Sequence, residues 1–146
     1  YRGTDLIQNT KNVAIINSPF ADEELTAVAA INPDVAIIHA QQADQKGNVM
    51  LWGITGVQKE AVFAAKKVIV TVEEVVEAFE PKLNAIILPS ILISAIALVP
   101  EGASPSYALD YYPRNNMKYI EWSEISKERA GFEKWLDEEI FSKDTH

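Results

Sequence analysis

A histidine and two polar residues follow the second branched apolar run of the sequence and are its best candidates for acid–base chemistry. His39 ends the run of residues 35–38, and Gln41 and Asp44 come shortly after it. Ligands of α/β sheets bind at strand ends, and an imidazole changes charge near neutral pH, so His39 is a candidate acid or base. The sequence favours a partly buried histidine that donates to a backbone carbonyl, because no nucleophile lies near it in sequence.

The segment from Asp44 to Asn48 has the composition of a tight turn. Asp44 can accept hydrogen bonds from backbone N–H groups ahead of it, and Gly47 can adopt a positive φ. We therefore predict a defined turn. The functional alternative places Asp44 or Asn48 at a contact with a ligand or with another protein chain.

Acidic residues follow the apolar run of residues 68–72 and the one that ends near residue 99. Glu73, Glu74 and Glu77 could hold a metal ion or do acid–base work, although such acids are more commonly the charged start of a helix or a solvated face. Glu101 could act as a nucleophile, but its position also suits an exposed loop. The structural interpretation is favoured for all four.

Two serines flank Pro105 in the segment that follows. Ser104 and Ser106 could bind an anion through hydroxyl and backbone N–H groups, or they could belong to a proline-fixed turn before a packed Tyr107. The residues that we propose for a cleft or an interface are His39, Gln41, Asp44, Asn48, Ser104 and Ser106. The spacing of these six residues in the sequence indicates neither a complete catalytic set nor a metal-binding set.

The composition excludes several classes of site and partner. The 146 residues include no cysteine and two histidines, which excludes disulfides, thiolate zinc sites and histidine-rich metal cages. A net charge of -8 argues against a nucleic-acid partner. No apolar run reaches the ~20 residues that span a bilayer and no signal segment is visible, so we expect no membrane contact and a cytoplasmic location. Because the chain begins with Tyr1 rather than Met, we expect that it was processed or is part of a longer protein.

Short apolar runs alternate with helical patterns along the chain, which predicts an α/β fold with a sheet covered on both faces. The predicted strands lie at residues 13–16, 35–38, 68–72, 85–88 and 91–99. The predicted helices lie at residues 22–31, 57–67 and 123–141, the last as a terminal helix with Ser123 or Ser126 as its N-cap. Residues 100–122 are predicted to form a long loop, and residues 1–146 to form a single domain.

Several short motifs occur in the order that is typical of family I CoA-transferases. Residues 32–48 resemble that family's NPDVAIIHA…AD..GN stretch, and residues 58–74 resemble its EA..AA..VIVTVEE helix–strand unit. Residues 102–106 resemble its GAHPS loop, and Tyr111 and Tyr112 resemble the aromatic pair that follows. The resemblance covers residues 3–136 and is to the C-terminal portion of the A (α) subunit of glutaconate CoA-transferase-like enzymes.

This resemblance implies a three-layer α/β/α sandwich with a mainly parallel sheet, present here in part. It implies an enzyme that moves CoA between an acyl-CoA and a free carboxylic acid, with coenzyme A as part of the substrate and no permanently bound cofactor. In two-chain members the thioester is attacked by a glutamate of the B (β) subunit. The implied partner is therefore a B subunit, this chain alone is expected to be inactive, and no catalytic residue is carried over to it.

The sequence departs from the family pattern at three places. Ser104 replaces the histidine of the GAHPS loop, Ser90 replaces the glycine that follows the strand-ending Pro89, and the glycine-rich N-terminal part has no counterpart. Two other functions stay open as alternatives. One is part of a hydrolase that cleaves ring-derived acyl-CoA carbon–carbon bonds with water, and the other is a non-catalytic structural or ligand-sensing domain.

Overall fold

The computed structural model describes residues 3–143, which divide into two compact units with the boundary after Pro33. The first unit begins with the short helix α1 (Leu6–Asn9). An antiparallel hairpin of β1 (Val13–Asn17) and β2 (Glu24–Val28) follows. The strand predicted at the start of this hairpin is confirmed.

The helix predicted at residues 22–31 is wrong, because this segment forms β2. Leu25 pairs in register with Ile16 of β1, and all five residues of each strand take part in the pairing. A complete ladder to a neighbouring apolar strand outweighs the weak local preference for a helix. Of the three consecutive acids at residues 22–24, only Glu24 belongs to this strand.

The second unit is built on a five-stranded mixed sheet. Its strands are β3 (Val35–Asp44), β4 (Val49–Leu51), β5 (Lys67–Val76), β6 (Ile86–Leu88) and β7 (Ala95–Leu98). Their order across the sheet is β6-β4-β3-β5-β7. The strands β3, β5 and β7 run parallel, whereas β4 is antiparallel to β3 and β6. The α/β class is confirmed, but the described sheet is half antiparallel because β4 returns from β3 through a short turn.

The strands predicted at residues 35–38, 68–72 and 85–88 are confirmed. The one predicted at residues 91–99 is shorter, since a 3-10 turn at Ser90–Leu92 precedes β7. The Ser94 hydroxyl, just before β7, accepts a hydrogen bond from the Val68 N–H of β5 at 3.1 Å. The parallel pairing of β5 with β7 begins at the next residues, Ile69 and Ala95.

The helix predicted at residues 57–67 is confirmed as α2 (Gln58–Ala64). Val62 of this helix joins the buried cluster formed by alternate residues of β3 and β5, such as Ile38 and Val70. On the opposite face of β3, Ile37 near the start of the strand is 72% exposed, whereas Gln41 further along is 7% exposed. Within the described residues, the expectation of a sheet covered on both faces is therefore wrong only at the start of β3.

The terminal helix predicted at residues 123–141 is two helices, α3 (Asn116–Ile125) and α4 (Arg129–Glu139), followed by a 3-10 turn at Phe141–Lys143. Neither predicted N-cap is correct. The Asn115 side chain accepts from the Lys118 N–H at 3.2 Å and caps α3, while Ser123 lies inside α3 and Ser126 ends it. The break lets α4 fold back, so that rings of the two helices meet, among them Trp122 and Trp135 with centroids 4.6 Å apart.

The long loop predicted at residues 100–122 is confirmed as far as residue 115, where α3 begins to be capped. Its first part is a succession of turns. The N–H groups of Gly102, Ser104 and Ser106 each donate to the carbonyl three residues before them, at 2.8–3.0 Å. The segment is therefore an ordered loop whose backbone is held by local bonds.

Leu88→Ala is expected to lower the free energy of unfolding by about 2–5 kcal/mol, because it leaves a cavity at a side chain with 0% exposure. Leu83→Ala is the matched control, since Leu83 is 88% exposed and its truncation should change stability by no more than about 0.5 kcal/mol. Urea unfolding followed by circular dichroism measures both variants. Equal effects of the two substitutions would contradict the placement of the core.

Candidate functional site

His39 lies in the middle of β3, directly beside Thr71 of the parallel strand β5. Its Nδ1 is 2.8 Å from the Thr71 hydroxyl and its Nε2 is 2.5 Å from Oε1 of Glu73. The expectations that His39 ends a strand and donates to a backbone carbonyl are both wrong. The strand is ten residues long, and parallel register places two polar side chains of β5 within reach of the ring.

Glu73 is the buried acid of this site, with only 2% of its side chain exposed. Besides His39, its carboxylate accepts the Tyr112 hydroxyl at 2.5 Å on Oε1 and the Glu101 N–H at 2.7 Å on Oε2. Burial raises the pKa of Glu73, but the bonds from Tyr112, Glu101 and His39 outweigh it and hold that pKa below its usual value. The expectation of a charged helix start or a solvated face is therefore wrong for Glu73.

The other acids of this region behave as expected. Glu74 points to the opposite face of β5, is exposed, and accepts the Tyr111 hydroxyl at 2.8 Å. Burial, followed by this bond to Glu74, raises the pKa of Tyr111 to about 12. Glu77 and Glu101 are also exposed. Side chains alternate between the two faces of a strand, so Glu73 is buried while its neighbour Glu74 is exposed. Tyr112, which donates to Glu73, is 39 residues away, so the residues around Glu73 could not have predicted its burial.

The loop after β7 is fastened to this buried carboxylate. The Ala103 N–H donates to the Tyr112 hydroxyl at 2.9 Å, so the hydroxyl links Ala103 to Glu73. Between these bonds, Gly102 packs on the His39 ring so closely that an added Cβ would lie 2.8 Å from Cε1 of the imidazole. Burial and the bond to Glu73 raise the pKa of Tyr112 to about 12. A protonated phenol, an imidazole and a carboxylate thus fix three consecutive loop residues.

A pocket of about 320 Å³ opens beside this cluster. Its lining residues are Ile37, Ile38, His39, Gln41, Leu51, Trp52, Ile54, Gln58, Ala103, Ser106, Tyr107, Ala108 and Leu109. Gln41 is held there by two bonds to the backbone of Trp52, at 3.1 and 3.3 Å. Oε1 of Gln58 is buried without a hydrogen-bond partner in the described residues. The pocket is mainly apolar, with amide and hydroxyl groups at a few points.

The six residues proposed for a cleft or an interface do not converge on one place. His39, Gln41 and Ser106 line the pocket described above, and Ser104 lines a different one beside α3 and α4. Asp44 and Asn48 form the predicted turn, in which Oδ1 of Asp44 accepts the N–H groups of Lys46 and Asn48, both at 2.9 Å. Burial raises the pKa of Asp44, but these bonds and one from the Asn48 side chain keep it below its usual value.

Residues 3–143 lack membrane-spanning helices and metal-binding groups of side chains. None of the helices in that range has the length and apolar character needed to cross a membrane. The same residues contain no group of three or more His, Cys, Asp or Glu side chains arranged to hold a metal ion.

Sequence comparison identifies relatives along most of the chain. The Coenzyme A transferase family profile matches residues 7–98. The chain is 51% identical over 140 residues to the A subunit of 3-oxoadipate CoA-transferase from Pseudomonas knackmussii, covering 96% of this chain and 50% of that protein. It is 28% identical over 131 residues to the cholesterol ring-cleaving hydrolase IpdA subunit of Rhodococcus jostii, covering 83% of this chain and 44% of that protein.

Structural comparison agrees. The crystal structure of glutaconate coenzyme A-transferase from Acidaminococcus fermentans superposes with a TM-score of 0.81 at 33% identity, covering 90% of this chain and 43% of the other. By sequence, the A subunit of that enzyme is 35% identical over 136 residues, covering 90% of this chain and 42% of the relative. The chain thus spans about half the length of the curated relatives that it matches.

His39→Ala is expected to lower stability or assembly more than it lowers activity per folded molecule. The substitution removes one donor from the buried carboxylate and the surface on which Gly102 packs, at a cost of about 1–3 kcal/mol. His39→Gln, whose amide can still donate toward Glu73, should lose less. Unfolding curves, native mass and turnover are measured on the same samples. A His39→Ala variant that folds and assembles normally but has lost all turnover would overturn this expectation.

The contribution of the Glu73 charge to stability should disappear in acid. Its pKa is lower in the folded protein than the ordinary value of 4.5, so its stabilisation is complete above pH 4.5 and is lost as the pH falls through the lower, folded value. We expect the stability gap between the wild type and Glu73→Gln to be constant near neutral pH and to narrow below pH 4.5. A gap that widens on acidification would contradict the assignment.

Proposed function

The chain belongs to the coenzyme A transferase family, and from that premise we propose that it is the A-subunit part of an enzyme that moves CoA between an acyl-CoA and a free carboxylic acid. The observation that supports this most strongly is the 51% identity to the 3-oxoadipate CoA-transferase relative across 96% of the chain. The proposed partner is a B subunit, and the proposed location is the cytoplasm, which a cysteine-free sequence fits.

The proposed acceptor and donor acids are short dicarboxylic acids, with a 3-oxo acid among them. Identity to the 3-oxoadipate relative exceeds identity to the glutaconate relative, at 51% against 35%. Both named acids carry two carboxyl groups, one to form the thioester and one at the far end. A distal carboxylate is therefore the feature that a substrate site of this enzyme must recognise.

The proposed reaction is covalent catalysis by a glutamate of the partner B subunit. Its carboxylate attacks the acyl-CoA carbonyl and releases the CoA thiolate, which leaves a mixed anhydride. The thiolate then attacks the glutamyl carbonyl, forming a glutamyl-CoA thioester and releasing the first acid as a carboxylate. The acceptor carboxylate repeats the two steps in reverse, so that the new acyl-CoA leaves and the glutamate is regenerated.

This chain would supply one wall of the cleft in which that reaction occurs. The pocket beside His39 is lined mainly by apolar side chains such as Ile54 and Leu109, and it contains no lysine, arginine or carboxylate among its lining residues. Such a wall excludes water from an acyl group but does not pair with a charge. The distal carboxylate of a dicarboxylic substrate is therefore expected to meet its cation outside this pocket.

A role in a hydrolase is the second candidate function. The observation in its favour is the 28% identity to the ring-cleaving hydrolase relative over 83% of this chain. In that case water would add to a ring carbon–carbon bond of the acyl-CoA, that bond would break, and the CoA thioester would stay on the product. The lower identity makes this the weaker proposal.

The test uses the protein at the full length of its reading frame, produced together with the proposed B subunit. With succinyl-CoA as donor and 3-oxoadipate as acceptor, we expect 3-oxoadipyl-CoA and succinate in equal amounts. Chromatography with mass detection quantifies all four species. The two proteins tested separately are the controls, and each is expected to be inactive.

The products separate the two candidates. Isotope-labelled CoA that appears on the acceptor supports the transferase. Loss of a ring-derived acyl-CoA by addition of water, with no transfer to any dicarboxylate, would replace the transferase with the hydrolase. If a correctly assembled complex shows no transfer and no hydrolysis, both proposals are excluded.

A further inference from the structure

We propose that Glu73 is a positioning residue, whose carboxylate sets the backbone path of residues 101–103 and thereby the shape of the pocket in which the acyl group is held. The proposal rests on the transferase function for its activity arm only. Its structural arm concerns hydrogen bonds within this chain and stands independently of that function. The charge of Glu73 takes no part in bond making.

Three donors face the carboxylate of Glu73. Oε2 accepts the Glu101 N–H at 2.7 Å, and Oε1 accepts both the Tyr112 hydroxyl and the His39 ring N–H at 2.5 Å. The side chain is 2% exposed, so bulk water has little access to these positions. Three donors and near-complete burial therefore leave an electrophile little access to this carboxylate.

These hydrogen bonds and contacts converge on three consecutive loop residues. Glu101 is bonded directly, Gly102 rests on His39, and Ala103 is reached through the Tyr112 hydroxyl. Glu101 has a φ of 60°, in the left-handed region that a non-glycine residue occupies only when its surroundings hold it there. The bond from its N–H to Glu73 supplies that hold.

The segment held in this way forms part of the pocket wall. Ala103, Ser106 and Tyr107 form one side of it, and His39 and Gln41 form another. Turn bonds join residue 101 to residue 104 and residue 103 to residue 106, at 2.9 and 2.8 Å, so a shift at residue 101 is passed on to the lining residues. The carboxylate therefore controls a wall that it does not itself line.

A neutral amide of the same shape can preserve the anchor. In Glu73→Gln the carbonyl oxygen can take the place of Oε2 and accept from Glu101, while the amide nitrogen donates toward Tyr112 and His39. His39 then carries its proton on Nδ1 and donates it to the Thr71 hydroxyl, which is 2.8 Å away. The Tyr112 proton must find another acceptor, so a modest loss is expected. In Glu73→Ala no acceptor is left for any of the three donors.

The experiment compares Glu73→Gln, Glu73→Ala and the matched controls Glu74→Gln and Glu74→Ala in the assembled complex with the B subunit. Glu74 is the adjacent residue of the same strand and faces the other way. Rates are normalised to the concentration of folded complex, so that kcat and KM of the variants are compared at equal folded fraction. Hydrogen exchange of the Glu101 and Ala103 amides is measured on the same samples.

For Glu73→Ala we expect kcat per folded site to fall by roughly 10- to 100-fold, as for a displaced reacting group, with faster exchange of both amides. Glu73→Gln should keep both amides protected and kcat within about 3-fold of the wild type, because the hydrogen-bond pattern is largely retained. Both Glu74 variants should match the wild type.

Two results would overturn the proposal. If Glu73→Gln is as inactive as Glu73→Ala while both amides stay protected, the negative charge acts directly. If Glu73→Ala keeps wild-type kcat at equal folded fraction, the residue is structural only. Should the wild-type complex transfer no CoA, the transferase function fails, and exchange of the two amides still decides whether Glu73 holds the loop.

Discussion

A carboxylate buried between two parallel strands and a loop is the interaction on which this site depends. Glu73 is 2% exposed, and an ion in that position is tolerated only when donors replace the water that it has lost. The required donors come from β3, from the loop backbone and from Tyr112, three parts of the chain that are distant from Glu73 in sequence. Satisfying one acid therefore brings the strands and the loop into a single arrangement.

The same hydrogen bonds give Glu73 and His39 a structural role rather than a role in bond making. The Glu73 carboxylate is buried beneath its donors, and both ring nitrogens of His39 have hydrogen-bond partners within the chain. The acidic and imidazole groups that first look catalytic are therefore used to hold a wall of the pocket. This fits a chain that matches about half the length of its curated relatives and that is proposed to work with a nucleophile from a partner chain.

The features that depend mainly on adjacent residues could be predicted from the sequence. The strands predicted at residues 35–38 and 68–72, the turn at Asp44 and the family motifs were all interpreted correctly from adjacent residues. The hairpin strand β2 and the split between α3 and α4 were missed, because each depends on a packing partner that propensity does not include. Glu73 was missed for the same reason, since its partners lie 28 to 39 residues away.

The protein is proposed to shape the cleft while its partner carries the reactive glutamate. The most direct test incubates the assembled complex with acyl-CoA, traps the glutamyl thioester by borohydride reduction and locates the modified residue by peptide mass spectrometry. We expect one modified glutamate, on the B subunit, with Glu73 and Glu101 unmodified. A reduced glutamate anywhere in this chain would contradict the proposal.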